Sequence, residues 1–191
     1  MAILKSNRLI LRPVSIPDTG RIAALLNDWD VVRMLARVPY PYTLSDAENW
    51  ISVIQNAAVP REVYVIDRGA GPLGIISLDL VAEDQSGTQV RELGYWLGKR
   101  HWGEGIMTEA VASLTRHGMD TLGLERITSS ALLENLGSLK VQDKVGYRMV
   151  GEGEQFFAAR NEKLSVRQVE MDQPLWATLR GDLADRYGLA G

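Results

Sequence analysis

The sequence predicts one mixed α/β domain built around a single β-sheet. Three strand-like apolar segments follow one another between Glu62 and Gly98, and segments with the 3.6-residue period of helices lie on both sides of them. The chain has 191 residues, of which 46% are hydrophobic and 24% are charged. It is therefore long enough to bury one sizeable core and too apolar to be disordered.

The N-terminal part predicts one strand and two helices. Residues 8–14 have the composition of a strand, and helix-start signals follow from Ser15 onwards. Ser45 and Glu48 have the spacing of a capping box, in which each side chain bonds to the backbone N–H group of the other residue. This pair predicts a second helix over residues 46–56.

The central part predicts three strands and a long helix. The strands are expected at residues 62–68, 72–81 and 89–98, and the turn-rich or polar segments between them indicate antiparallel pairing. From Glu104 the apolar positions recur at helical spacing. This period predicts a helix that runs to about Leu122.

The C-terminal part predicts a strand, a short helix, a hairpin and a terminal helix. The strand is expected at residues 125–133, and the short helix at residues 136–145 is ended by Gly146. A hairpin then closes the sheet over residues 147–172. The tail from residue 174 has apolar residues at helical spacing, which predicts a helix that packs on the body or on a partner.

The pattern contains no linker or repeat, so we expect residues 1–173 to form the domain and residues 174–191 a helical extension. The protein is expected to be a monomer or a homodimer. One sequence offers nothing that separates these two states.

The composition excludes several classes of function. With 24 acidic and 21 basic residues, the net charge of −3 gives no reason to expect nucleic-acid binding. No segment approaches the roughly 18 consecutive apolar residues of a membrane span, and the charged N-terminus is unlike a signal peptide. We therefore expect a cytoplasmic protein with no membrane partner. The absence of cysteine removes thiol nucleophiles and thiolate metal ligands, and we expect no metal.

A glycine motif stands between the strand that ends at Leu97 and the long helix. Its pattern is Arg100-x-x-Gly103-x-Gly105. Free N–H groups at a helix start, together with the positive end of the helix dipole, bind phosphate, and glycines allow close approach of the backbone. The spacing differs from both the P-loop and the dinucleotide fingerprint. From the glycines alone, a tight strand-to-helix turn is an equally good explanation.

With its flanks "ELGYWLG" and "MTEAV", this motif resembles the acetyl-CoA pyrophosphate loop of the GNAT superfamily of N-acetyltransferases. Three further segments, "NRLILRPV", "PYPYTLSDAENWI" and "LENLGSLKVQDKVGYRMVGE", are similar to the subgroup that acetylates the N-terminal alanine of ribosomal proteins. The resemblance covers roughly residues 8–172. It implies a GNAT fold, with a twisted, mostly antiparallel sheet of about six or seven strands, splayed between the fourth and fifth strands, and four main helices plus the C-terminal helix.

The resemblance also implies acetyl-CoA as cosubstrate, bound where the sheet splays. The backbone of one strand would pair with the pantetheine arm, and amides of the glycine loop would hold the diphosphate. A lysine, Lys140 or Lys144, would meet the 3′-phosphate, although both also fit a solvated helix face. The expected contacts are Tyr95, Trp96, Leu97, Arg100, Gly103, Glu104, Gly105, Ile106, Met107, Asn135, Ser138 and Lys140.

Acetyl transfer to an amine needs a base for the amine and a proton for the leaving thiolate. Glu92 stands where many relatives carry a catalytic glutamate, although it also fits an edge residue paired with Arg91 or another base. Glu134 is a weaker candidate. Many relatives use a tyrosine as acid, but the matching position is Gln142, which has no useful proton to give. The resemblance to the ribosomal-protein subgroup implies a serine four positions earlier, Ser138, in this role, with solvent as the alternative.

The resemblance also implies an acceptor mouth in the segment before the second helix. Arg33, Tyr40 and Tyr42 are assigned to substrate binding together with Glu92, because aromatic walls with an arginine suit a peptide end or a carboxylated molecule. The expected activity is direct acetyl transfer to a primary amine, and the resemblance to the ribosomal-protein subgroup favours the N-terminal α-amine of a protein or peptide. The alternatives are a small-molecule amine or a non-catalytic acyl-CoA sensor.

Overall fold

One sheet of eight strands runs through the part of the chain that the computed structural model describes, which is residues 2–57, 61–83 and 89–189. The strand order is β1-β2-β3-β4-β5-β6-β8-β7, and every neighbouring pair is antiparallel except β5 and β6. The strands are β1 (Leu4–Lys5), β2 (Ile10–Pro13), β3 (Glu62–Asp67), β4 (Pro72–Glu83), β5 (Gln89–Leu97), β6 (Arg126–Leu132), β7 (Arg148–Phe157) and β8 (Glu162–Asp172).

This sheet confirms the predicted mixed, mostly antiparallel architecture, with one or two strands more than expected. The strand missed is β1, which contains only two residues and pairs with the start of β2. So short a segment carries no alternation that a sequence pattern could reveal.

Six α-helices accompany the sheet within the described ranges, and the one that was not expected is the single turn α2. The second predicted helix begins earlier than expected, because its capping box is formed by Thr43 and Asp46 rather than by Ser45 and Glu48. No described helix is long and apolar enough to cross a membrane. The helices are α1 (Thr19–Leu26), α2 (Trp29–Val32), α3 (Leu44–Gln55), α4 (Ile106–Arg116), α5 (Leu136–Val145) and α6 (Gln173–Tyr187).

Helices cover both faces of the sheet, and β3 shows how the sequence allows this. Along β3, Val63 and Val65 pack in the cluster beneath α1 and α3, whereas Tyr64 and Ile66 pack in the cluster beneath α4 and α6. A strand that is buried on both faces has no polar alternation. On the second face, α6 places the buried Trp176 and Leu183 in the same core as α4, so the terminal helix lies against its own chain.

The sheet splays between β5 and β6, which are the fourth and fifth strands when β1 is left out. The two strands pair at only two positions, Arg91 with Ile127 and Glu92 with Thr128, and then separate. Both strands run on past this point, to Leu97 and Leu132. The splay opens a gap in the middle of an otherwise continuous sheet.

Candidate active site

A cavity of about 940 Å³ occupies the gap between β5 and β6. Its walls come from β4, β5 and β6, from the starts of α4 and α5, from β7, and from the segment between α2 and α3. Because side chains alternate along β5, Glu92 lies on the face covered by α1 and α3, and Tyr95 lies on the face covered by α4. Both residues line the cavity, so the gap gives access to groups on the two faces of the sheet.

Side chains bridge the two strands at the point where their backbone pairing stops. Ser129 Oγ on β6 donates to the carbonyl oxygen of Leu93 on β5 at 2.9 Å. The fully buried Gln142 donates from Nε2 to Ser129 Oγ at 3.4 Å and accepts at Oε1 from Arg167 Nη2 at 3.0 Å. Gln142 therefore ties α5 to the splayed strands.

The loop between β5 and α4 has the geometry that its glycines predicted. Gly103 and Gly105 have φ values of +80° and +74°, a region that L-amino acids with a side chain rarely adopt. Gly105 is the N-cap of α4, and the N–H group of Glu109 makes the bond to its carbonyl oxygen. The N–H groups of the residues between them have no acceptor within the helix and are free to bind an anion.

A buried carboxylate lies directly behind this loop. Glu109 is 1% exposed and accepts from Arg8 Nε at 2.7 Å, from the Arg8 backbone N at 2.8 Å and from Ser6 Oγ at 2.8 Å. Arg8 Nη1 also donates to the carbonyl oxygen of Glu104 at 3.1 Å. The N-terminal segment therefore fixes both the loop and the first turns of α4. Sequence reasoning missed this contact, for which the only local signal is an acidic residue on an apolar helix face.

Most of the expected cofactor contacts line the cavity, but two do not. Arg100 donates from Nε to His101 Nε2 at 2.9 Å and borders a separate small cleft. Glu104 is paired with Arg68 at 2.8 Å. The short 3₁₀ turn at Lys99–His101 carries the arginine away from the cavity. The residues that line it as expected are Tyr95, Trp96, Leu97, Gly103, Gly105, Ile106, Met107, Asn135, Ser138 and Lys140, and Lys144 joins them.

A phenol stands beside the serine that was proposed as the acid. Tyr95 OH lies 2.7 Å from Ser138 Oγ. Burial raises the pKa of Tyr95 to about 12, so the phenol stays protonated and remains a hydrogen-bond donor. Asn135 Oδ1 accepts from the backbone N of Ser138 at 3.1 Å, which makes Asn135 the N-cap of α5. Sequence reasoning used only the backbone of Tyr95 and did not find this side-chain pair.

The carboxylate proposed as the base is ion-paired at the other end of the cavity. Glu92 Oε2 accepts from Arg37 Nη2 at 2.8 Å, and Glu92 Oε1 accepts from Ser130 Oγ at 3.4 Å. The partner is thus Arg37 rather than Arg91, whose Nη1 donates to the carbonyl oxygen of Leu78. Glu92 lines the cavity on one side and is paired on the other, so its ion pair is observed and its role as the base stays a prediction.

The expected acceptor residues are only partly in the cavity. Tyr42 lines the wall, and burial raises its pKa to about 12. Arg33 lies outside the lining and pairs with Glu134 Oε1 at 3.2 Å, and Tyr40 packs edge-on against Trp29 with ring centroids 5.2 Å apart. Arg33 and Tyr40 therefore have partners on the rim and do not line the cavity, and their role in acceptor binding stays a prediction.

The family model of the acetyltransferase (GNAT) domain matches residues 8–148. The chain belongs to the GNAT family. Among curated relatives, the uncharacterized N-acetyltransferase p20 of Bacillus licheniformis is 24% identical over 170 residues, which are 87% of this chain and 93% of p20. The protein is therefore an acetyl-CoA-dependent N-acetyltransferase, as the resemblance of its motifs to this family implied.

Solved structures share the fold at low identity. Mycobacterium smegmatis RimJ in complex with CoA-disulfide has a TM-score of 0.83 at 17% identity, covering 97% of this chain and 92% of RimJ. The ribosomal-protein-S5-alanine acetyltransferase of Vibrio fischeri has a TM-score of 0.74 at 16% identity, with coverages of 92% and 99%. The microcin C7 self-immunity acetyltransferase MccE, with acetyl-CoA and AMP, has a TM-score of 0.74 at 17% identity, with coverages of 87% and 93%.

Proposed function

We propose that this GNAT enzyme acts in the cytoplasm and acetylates the N-terminal α-amine of a protein or peptide. The observation that carries the proposal is a single cavity that runs from the amides of the glycine loop to Glu92 and on to exposed residues such as Arg37 and Pro39. Such a cavity accommodates acetyl-CoA at one end and the end of a longer chain at the other. The fold shared with the ribosomal-protein-S5-alanine acetyltransferase supports the same class of acceptor.

Acetyl-CoA supplies the acetyl group and fits the residues at the loop. The amides of Ile106 and Met107 would hold the diphosphate at the start of α4, and the positive φ values of the two glycines present the backbone without a Cβ atom. Lys140 and Lys144 line the same end of the cavity, where a 3′-phosphate would meet a cation.

Glu92 takes one proton from the acceptor ammonium, which leaves a neutral amine and a protonated carboxyl group. The amine then attacks the thioester carbonyl; a C–N bond forms and the C–S bond breaks. An α-amine with a pKa near 8 costs about 1 kcal/mol to deprotonate at pH 7, whereas a lysine with a pKa near 10.4 costs about 4.6 kcal/mol. A single carboxylate is thus sufficient for an α-amine.

The hydroxyl groups of Ser138 and Tyr95 stabilise the leaving thiolate by hydrogen bonding. Ser138 Oγ donates to the sulfur and Tyr95 OH, 2.7 Å away, donates to Ser138 in turn. After the attack the nitrogen loses a second proton, and the thiolate gains one, through this hydroxyl pair or through solvent. This pair supplies a proton donor although Gln142 replaces the usual tyrosine, so it argues against a non-catalytic sensor.

A small-molecule amine is the second candidate acceptor. The supporting observation is the shared fold with MccE, whose structure contains AMP beside acetyl-CoA. Deep aromatic walls at the acceptor end, formed by Tyr42 and Trp50, also suit a small ligand.

The deciding experiment measures CoA release with saturating acetyl-CoA and a panel of amines. The panel contains peptides with N-terminal Ala or Ser, the same peptides N-blocked but with a free lysine, free amino acids, polyamines and aminoglycosides. Release that requires an unblocked peptide N-terminus supports the proposal. Release with small amines alone moves the function to metabolite or drug modification. No release, with binding of acetyl-CoA retained, contradicts both enzyme proposals on this panel.

A further inference from the structure

We propose that the guanidinium of Arg37 occupies, in the free enzyme, the site that binds the ammonium group of the acceptor. In the free enzyme its guanidinium occupies an anionic cradle formed by Asp79 and Glu92, and a primary ammonium displaces it at the start of each turnover. This inference rests on the proposed function, in which Glu92 is the base. It adds that the acceptor binds as a cation, at a site that the chain itself fills when no acceptor is present.

The cradle is built by two adjacent strands. Asp79 on β4 and Glu92 on β5 are directly opposite each other in the antiparallel register, so their carboxylates share a face of the sheet. Like charges at such positions repel each other unless a cation lies between them. Arg37 Nη2 is 2.8 Å from Glu92 Oε2, and Arg37 Nη1 is 3.9 Å from Asp79 Oδ2. One guanidinium therefore serves both carboxylates.

Each carboxylate also has a hydroxyl donor that does not depend on Arg37. Ser130 Oγ lies 3.4 Å from Glu92 Oε1 and 3.3 Å from Gln155 Oε1, between which its hydroxyl hydrogen is shared, and Ser77 Oγ donates to Asp79 Oδ2 at 3.3 Å. These contacts do not involve Arg37, so they remain available when the guanidinium leaves. The cradle thus keeps its shape for a second cation.

The position of Arg37 suits a side chain that moves while its backbone stays fixed. The preceding residue, Ala36, accepts from the backbone N of Ala158 at 2.9 Å, and Met34 and Ala36 pack against the small core around Phe157. The Arg37 side chain itself is 66% exposed, against 24% for Glu92. Exposed ion pairs contribute little net stability, so rotation of this side chain into solvent costs little.

The guanidinium of Arg37 and the primary ammonium of an acceptor differ in whether they can lose a proton. A guanidinium does not lose its proton in a protein, so Arg37 fills the cradle without becoming a substrate. A primary ammonium presents three N–H donors to the same carboxylates, and Glu92 accepts one of its protons. After acetyl transfer the nitrogen belongs to a neutral amide, and the proton on Glu92 returns to water. The product no longer matches the cradle, and Arg37 takes its place again.

The test uses Arg37→Ala with Arg148→Ala as the matched control. Arg148 is 52% exposed and also bridges two carboxylates, at 2.6 Å from Glu170 and 2.7 Å from Asp172, but it does not line the cavity. The probe is methylguanidine, which is the end of an arginine side chain. Its binding is measured as a rise in melting temperature, and its effect on turnover as inhibition against the best amine of the panel.

Methylguanidine should raise the melting temperature of Arg37→Ala but not that of the wild type, of Arg148→Ala or of Arg37→Ala combined with Glu92→Gln. In the kinetic assay it should compete with the amine in Arg37→Ala only. Without the internal competitor, the KM for the amine should fall about two- to fivefold. A higher KM, or the same response to methylguanidine in wild type and Arg37→Ala, would overturn the proposal.

The binding arm separates this proposal from the proposed function. If no peptide on the panel is acetylated but methylguanidine still stabilises Arg37→Ala alone, the assigned acceptor is wrong and the cradle stands. If peptides are acetylated and methylguanidine binds nowhere, the acceptor stands and the cradle is wrong.

Discussion

The two ends of the cavity would contact their ligands through different groups, backbone N–H groups at one end and side chains at the other. At the cofactor end the ligand would meet backbone N–H groups, which are set by the positive φ values of Gly103 and Gly105 and supported by the buried Glu109. At the acceptor end it would meet side chains in exposed ion pairs, such as that of Arg37 with Glu92. Backbone geometry is rigid and suits a ligand that never changes, whereas side chains can rearrange around an acceptor. The contrast predicts that substitutions at one end leave the binding at the other end intact.

The largest effect is expected at the acceptor end, from Glu92→Gln. Loss of the base should lower kcat/KM for the amine about 100-fold at pH 7 and leave the affinity for CoA unchanged. Because the amine must then lose its proton unaided, the rate of the variant should rise with pH and level off above about pH 8, where most of the α-amine is neutral. Steady-state kinetics across pH and calorimetry with CoA measure the two effects.

Glu134→Gln is the matched control, since Glu134 is another glutamate on the cavity wall and is paired with Arg33 and Arg160 on the rim. Its rate should stay close to that of the wild type. A loss as large as that of Glu92→Gln would show that the carboxylates at this end act together rather than that one of them is the base.

The next effect belongs to the cofactor end. Gly105→Val forces a β-branched residue into the left-handed region, at a cost of about 2 kcal/mol, or about 30-fold in affinity if the strained loop withdraws its amides. The dissociation constant for CoA should rise by that factor, as measured by calorimetry. Gly20→Val is the control, because Gly20 lies in α1, has no positive φ and would meet nothing within 4 Å. Equal losses of CoA affinity in both variants would contradict the assignment.

The cofactor end and the acceptor end of the cavity also differ in how well the sequence predicts them. The cofactor end is local, because a glycine motif within six residues sets the loop, and so its geometry was predicted from the sequence. The acceptor end is assembled from distant segments: Arg37 and Glu92 are 55 positions apart, and no pattern links them. For this reason the sequence pattern indicated Arg33 and Tyr40 for the mouth and did not indicate Arg37, which lines the cavity.

Elsewhere too, the sequence did not identify which side chains are hydrogen-bonded to each other. Tyr95 was read as a strand residue, and only the packing of α5 against β5 places its phenol beside Ser138. The capping box of α3 was placed two residues too late because Ser45–Glu48 and Thr43–Asp46 have the same spacing, and only the observed bonds distinguish them. Strand and helix order follow from periodicity, but the contacts that complete a site do not.

A smaller effect is expected from Arg8→Gln, which tests the support behind the loop. Glu109 would lose its cationic partner while it stays buried, which costs about 1 to 2 kcal/mol because Arg8 is 45% exposed. The affinity for CoA should fall about fivefold, and the melting temperature should drop. An acetyl donor that ends at pantetheine and lacks the diphosphate should be used as well by the variant as by the wild type.

Arg12→Gln is the control for this support, because Arg12 pairs with two buried carboxylates, Asp18 and Asp67, outside the cavity. It should lower the melting temperature without changing the affinity for CoA. If both variants weaken CoA binding equally, the effect of Arg8 is a loss of general stability and not a loss of loop geometry.

The smallest effect is expected from Tyr95→Phe. This variant tests which group protonates the leaving thiolate. If Tyr95 acts through Ser138, removal of the phenol should lower kcat about threefold at saturating substrates, and adding this change to Ser138→Ala should lower kcat no further. Additive losses would mean that the two hydroxyls act separately. No loss in any of the three variants would assign the proton to solvent.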